Sequence, residues 1–157
     1  MKTILLFCVL GCSGNLLAYP NVGDRVEWRG TAQMQKESPV PLIITKEIIA
    51  FDARKSLWSV QYKVTMGNQT ETRVLEEKDI YTPAHCKKIL ATCTDQGGVL
   101  EDLETTVGSY KTCKITNKLS DGTFIEKWWG DIPFGIVSKN TRSPARNDKL
   151  PIDMASY

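Results

Sequence analysis

Leu57–Met66 alternates almost without fault: Trp58, Val60, Tyr62, Val64 and Met66 fall on one side, and Ser59, Gln61, Lys63 and Thr65 on the other. A period of two with one polar face predicts an antiparallel strand that is wet on one side. Gly67-Asn68, a pair suited to positive φ, follows, and Gln69–Glu76 returns, so a hairpin is expected. Arg25–Arg29 alternates and stops at Gly30. Leu42–Phe51, preceded by Pro39 and Pro41, is rich in Ile and Thr. Its Ile43-Ile44 and Ile48-Ile49 pairs interrupt the alternation and predict either burial on both faces or a bulge. Val99–Thr106, Tyr110–Asn117, Thr123–Trp129 and Ile136–Thr141 complete the strand set, with a turn at Ser120-Asp121-Gly122.

One segment reads as helix. Thr82 is a cap, Pro83 suits the first helical position, and Ala84–Thr92 carries helix formers before Gly97-Gly98. The expected fold is therefore mainly all-β: a single curved antiparallel sheet, or half-barrel, with one short helix. The tail from Ser143 to Tyr157 holds Pro144, Asn147-Asp148 and Pro151. It is either a hairpin closing the sheet edge or a loose end.

The first residues have a different character. Met1-Lys2 is a basic tip, Ile4–Cys12 an apolar run, and Ser13–Ala18 ends on a small residue. That layout predicts a secretory signal peptide over 1–18, cut after Ala18, and a single β-rich exported domain over 19–157. The apolar run is too short to span a bilayer as a helix, so the mature chain carries no integral membrane segment. The expected location is periplasmic or secreted. Val9-Leu10-Gly11-Cys12 loosely resembles a lipobox, so the alternative is a lipid anchor through Cys12.

Composition narrows the function classes. The chain has 157 residues, 41% of them apolar, which suits one domain with a core. Its 20 basic and 18 acidic residues are evenly spread, and no basic stripe for nucleic acid is present. Removing residues 1–18 takes one lysine and no acid, leaving 19 basic against 18 acidic. His85 is the single histidine, which argues against a multi-His metal site. No cofactor motif and no phosphate loop is found.

Three cysteines remain after Ala18: Cys86, Cys93 and Cys113. An exported chain meets oxidising conditions, so a disulfide is expected. On one continuous helix, Cys86 and Cys93 stand about 10 Å apart, beyond the reach of a bridge. Cys113, on a strand, can meet either partner. Cys93–Cys113 is favoured, and its loop would contribute ~3 kcal/mol in the chain-entropy model. Adjacent His85-Cys86 suits neither a zinc site nor a nucleophilic dyad.

Glu76, Glu77 and Asp79 look like material for acid–base work, but they close a strand beside Lys78 and read as a solvated loop. Asn68-Gln69-Thr70 matches the N-glycosylation pattern, which matters in a eukaryotic host. Trp128 and Trp129, adjacent on a strand, must face opposite sides.

The runs Cys93…Gly97-Gly98-Val99-Leu100-Glu101, Val107-Gly108-Ser109-Tyr110-Lys111-Thr112-Cys113 and Trp129-Gly130-Asp131-Ile132-Pro133-Phe134-Gly135-Ile136-Val137-Ser138-Lys139 resemble a pattern in uncharacterised exported bacterial envelope proteins. The pattern reads C…GG-x-x-E…AG-T-F-x-T-C…W-x-G-D-V-P-F-G-I-V-K. This chain departs from it at Val107 and Tyr110, keeping the apolar class at both. Such proteins are similar in architecture to the LolA and LolB lipoprotein carriers, whose curved sheet wraps a hydrophobic groove. The resemblance covers Cys93 to Lys139 and implies a half-barrel and a Cys93–Cys113 bridge, but no activity. Pro133-Phe134-Gly135 reads as a sharp turn anchored by its ring.

These readings converge on a non-enzymatic envelope protein that binds a lipid or other hydrophobic ligand in the concave face of the sheet. Trp28, Trp58, Tyr62, Trp128 and Trp129 are the candidate lining residues. Binding should be insensitive to salt, because the mature chain is nearly neutral. The alternative is a structural or docking module for another envelope protein. A cleft lined by Glu76, Glu77, Asp79 or His85 would instead favour an enzyme.

Overall fold

A computed structural model describes residues 19–33, 38–143 and 148–152, the last five and Ser143 as backbone. Residues 1–18, where a signal peptide is expected and which include Cys12, lie outside the described residues.

The polarity pattern folds into nine strands: β1 (Arg25–Ala32), β2 (Val40–Asp52), β3 (Leu57–Met66), β4 (Gln69–Glu77), β5 (Val99–Thr105), β6 (Gly108–Lys118), β7 (Phe124–Trp129), β8 (Ile136–Ser143) and β9 (Asp148–Ile152). All neighbours are antiparallel. The hairpin falls where alternation put it, with Met66 opposite Gln69. Gly67 has φ +57° and Asn68 does not enter the positive region, the arrangement of a type II′ turn. The doubled isoleucines of β2 make a bulge: Ile48 pairs with Val60 and Ala50 with Ser59, leaving Ile49 unpaired and exposed. The tail is a hairpin at the sheet edge, β9 pairing with β8.

The single curved sheet is not what forms. The strands make two open sheets, one of four in the order β1-β2-β3-β4 and one of five in the order β5-β6-β7-β8-β9. The split comes between Lys78 and Gly98. There the chain leaves β4, forms the helix α1 (Pro83–Ala91) and a 3-10 turn (Thr94–Gln96), and starts a new sheet with β5. A long connection with its own helix carries the chain away from the edge of β4, so β5 has no neighbour in the first sheet. Helix α1 begins as its sequence dictates. Thr82 caps it by accepting from the His85 backbone N–H, and Pro83 stands in the first turn.

Cys93 and Cys113 are bridged with Cα atoms 5.7 Å apart, and Cys86 is a buried free thiol. The helix stops at Ala91, so Cys93 lies beyond it, at the start of the turn that leads into β5, from where the bridge reaches Cys113 on β6. Gly98 fits tightly here: a Cβ on it would sit 2.8 Å from Cys93 Sγ and 2.9 Å from Cys113 Sγ. A disulfide is compatible with an oxidising, extracytoplasmic compartment. Among the described residues no helix is long and apolar enough to cross a membrane.

The two sheets share one core. Val26, Trp28, Ile48 and Val60 come from the first sheet, Ile80 from the connection, and Ile132, Phe134 and Val137 from β8 and the loop before it. The loop is closed on itself by Gly130 N–H to Gly135 O at 2.9 Å and Gly135 N–H to Ile132 O at 3.0 Å. Phe134 takes a positive φ of 64°, a strained setting for a side chain, and its buried ring holds the turn in place.

Candidate functional site

The inward face of β2 carries Ile44, Lys46 and Ile48 in alternation. Lys46 therefore stands mid-sheet between Val26 on β1 and Tyr62 on β3. A lysine in that row is the anomaly of the fold, since such a position normally takes an apolar side chain. Its ammonium lies 4.5 Å from the centroid of the Tyr62 ring and 5.4 Å from that of Phe134. Among the described residues no carboxylate comes within 4 Å of it.

Lys46 opens onto a cleft of about 270 Å³ that draws on both sheets and the connection between them. Its walls are Lys46, Glu77, Asp79, Ile80, Tyr81, His85, Trp129 and Phe134. Tyr81 is the centre of the aromatic wall. Its ring stacks with Trp129 at 5.9 Å and with Tyr19 at 6.3 Å, and His85 tilts against it at 6.1 Å. Gly135 lies close against Tyr81, and a Cβ on it would come within 2.6 Å of the ring. The Tyr81 hydroxyl is buried with no oxygen or nitrogen partner among the described residues, and the Cys86 thiol lies beside it.

The electrostatics follow from this packing. Burial pushes the Lys46 ammonium below the usual lysine range; the Glu77 carboxylate opposes this, and the charges of Lys127 and Lys139 add to it, each more weakly than Glu77. Glu77 accepts a hydrogen bond from the Tyr62 hydroxyl. Burial and this carboxylate raise the Tyr62 phenol well above its usual value. Burial likewise raises the Tyr81 phenol and the Cys86 thiol. Tyr19 donates to Asp131 Oδ1 at 2.6 Å, which fixes the outer ring of the stack.

The five aromatic residues expected to line one groove occupy different places. Trp28 is in the core and donates its indole N–H to the Ile136 carbonyl. Trp58 is half-buried against Phe51 at 4.3 Å. Tyr62 borders the cleft through Lys46 and Glu77, and Trp129 lines it. Trp128 faces the other side of β7, as adjacency requires, with its indole N–H on Glu101 and Lys114 over its ring at 4.8 Å. Glu77, Asp79 and His85 do come together in the cleft, whereas Glu76 is exposed opposite Ser59.

Lys46, Ile80, Tyr81 and Phe134 are the lining residues that sequence reasoning passed over. Lys46 had a signal: it shares the parity of Ile44 and Ile48, a charge on an apolar face. Among the described residues no group of three or more His, Cys, Asp or Glu is placed to hold a metal. No family model, curated protein or solved structure matches this chain.

Proposed function

We propose that this is an exported, non-enzymatic binding protein that holds a small ligand with an apolar body in the cleft walled by Tyr81, Trp129 and Phe134. The observation that carries the reading is that cleft: three rings and Ile80 from separate parts of the chain surround about 270 Å³ of open space. A space of that size is small beside the ~300–1,000 Å³ of common ligand sites, so the ligand is small. The resemblance of Cys93–Lys139 to envelope proteins with a carrier-like architecture supports the same reading. The protein works in the periplasm or is secreted, and a lipid-anchored form through Cys12 is the variant to test by N-terminal sequencing.

Native mass spectrometry of the purified protein should find a small co-purified molecule, and a fluorescent fatty acid should bind saturably with a change in tryptophan emission. A clean ligand-free mass together with no saturable binding overturns the proposal. It would promote docking of another envelope protein, a reading favoured by exposed Val74 and Leu75 on the unpaired edge of β4. An acid–base enzyme draws support from the meeting of Glu77, Asp79 and His85. Among the described residues, however, no hydrogen bond joins the His85 ring to either carboxylate.

A further inference from the structure

Three lysines gather beside the cleft, and among the described residues none of them is in an ion pair. Lys127 on β7 and Lys139 on β8 are direct cross-strand partners. Like charges placed so oppose sheet pairing, and an opposite charge at either position would have favoured it. Lys127 reaches over Trp129, its ammonium 5.9 Å from the centroid of the ring that lines the cleft. Both charges also act on Lys46, each more weakly than the opposing Glu77 carboxylate. Arg73, the cross-strand neighbour of Tyr62, adds a fourth cation on the far side of that ring, at 5.9 Å. Among the described residues none of Lys46, Lys127 and Lys139 has a carboxylate within 4 Å.

Two acids line the same cleft and must be weighed against these cations. Glu77 is engaged by the Tyr62 hydroxyl, which takes up part of its accepting capacity. Asp79 is exposed, where water screens it. Lys46, by contrast, is half-buried on an apolar face, where a charge acts over a longer range. The near-zero net charge of the chain conceals this local excess.

We propose that the cleft selects an anion: a small molecule with an apolar chain or ring and one acid group, the acid group held by Lys46 with Lys127 and Lys139 behind it. This rests on the cleft being a binding site, and it names the chemistry of the ligand's polar end. It also replaces the expected indifference to salt with a salt-sensitive interaction.

The test compares octanoate, 1-octanol and octylammonium, which share one chain and differ in charge. Each is titrated into the purified protein by tryptophan emission and calorimetry, at low salt and at about 0.5 M, where screening shortens to a few ångströms. Octanoate should bind about tenfold or more tighter than octanol, and salt should erode that advantage. Lys46→Met should bring octanoate down to the level of octanol, and Lys46→Arg should retain the preference. Lys127→Met and Lys139→Met should each weaken octanoate several-fold and leave octanol unchanged. Equal affinity for octanoate and octanol overturns the anion assignment and leaves the binding function intact. Tighter binding of octylammonium overturns it in favour of Glu77 and Asp79. Binding to phosphatidylglycerol vesicles without octanoate binding overturns the free-ligand form. Failure of all these probes to bind removes the binding function itself.

Discussion

The indole N–H of Trp28 donates to the carbonyl of Ile136 at 2.7 Å, joining residues 108 positions apart. Trp28 belongs to the first sheet and Ile136 to the second, and this bond ties the layers at the core that both share. Trp28→Phe keeps much of the apolar contact and strands the carbonyl, so it should cost about 1–2 kcal/mol. Trp28→Ala adds a cavity and should cost about 3–5 kcal/mol. Urea titration of the two variants checks both values, and equal losses would mean that the hydrogen bond contributes nothing.

Val60 is fully buried while Lys63, three residues on, is exposed. Val60→Asp places an unpaired charge in the core and should cost several kcal/mol, whereas Lys63→Asp should stay within about 0.5 kcal/mol. Thermal melts of the pair decide it. Similar shifts would contradict the register of β3.

Gly98→Ala pushes a methyl group onto both sulfurs of the disulfide and onto the Cys93 carbonyl oxygen, 2.9 Å away. Overpacking of this kind should cost about 1–3 kcal/mol. In a Cys93→Ala, Cys113→Ala background the sulfurs are gone and the same substitution should cost less. A penalty unchanged by removing the bridge would assign the strain to the backbone contact alone.

Lys46 carries a pH dependence whose sign is fixed by its surroundings. Its folded pKa lies below the ordinary 10.5, because burial and the neighbouring lysines oppose the charge. Between the lowered value and 10.5 the unfolded chain binds more protons, so stability rises with pH across that window, and the penalty is complete below it. Lys46→Met removes the penalty and should melt higher at pH 7, by about 0.5–1 kcal/mol, with the gain fading toward pH 10.5. A variant less stable at pH 7 would mean that the contacts of the ammonium with Tyr62 and Phe134 outweigh its burial.

Local rules made most of the elements legible. Alternation located β3, the Gly67-Asn68 pair its turn, Thr82-Pro83 the start of α1, and the doubled isoleucines the bulge of β2. The division into two sheets was not legible, because pairing of distant strands depends on where a connection travels. Nothing local to Lys78–Gly98 states that β5 will turn away from β4. Reach along a helix argued against a Cys86–Cys93 bridge but left Cys113 open to either partner, and the resemblance of Cys93–Lys139 pointed to Cys93. The site was half legible. Trp129, Tyr62 and the acids near residue 77 drew notice as residue types, but the cleft exists only where the connection crosses the second sheet. Lys46 was visible as a break in β2's apolar parity, and its meaning needed Lys127 and Lys139, eighty or more residues away.

The ring of Tyr81 rests on Gly135 with no room for even one added carbon. Gly135 is not among the residues that line the cleft, yet it sets how closely the Tyr81 ring can lie against the backbone. A methyl group at residue 135 would have to displace that ring, and the positive φ of 74° there would strain the backbone as well. Variation there would shift one wall of the cleft without changing the identity of any lining residue.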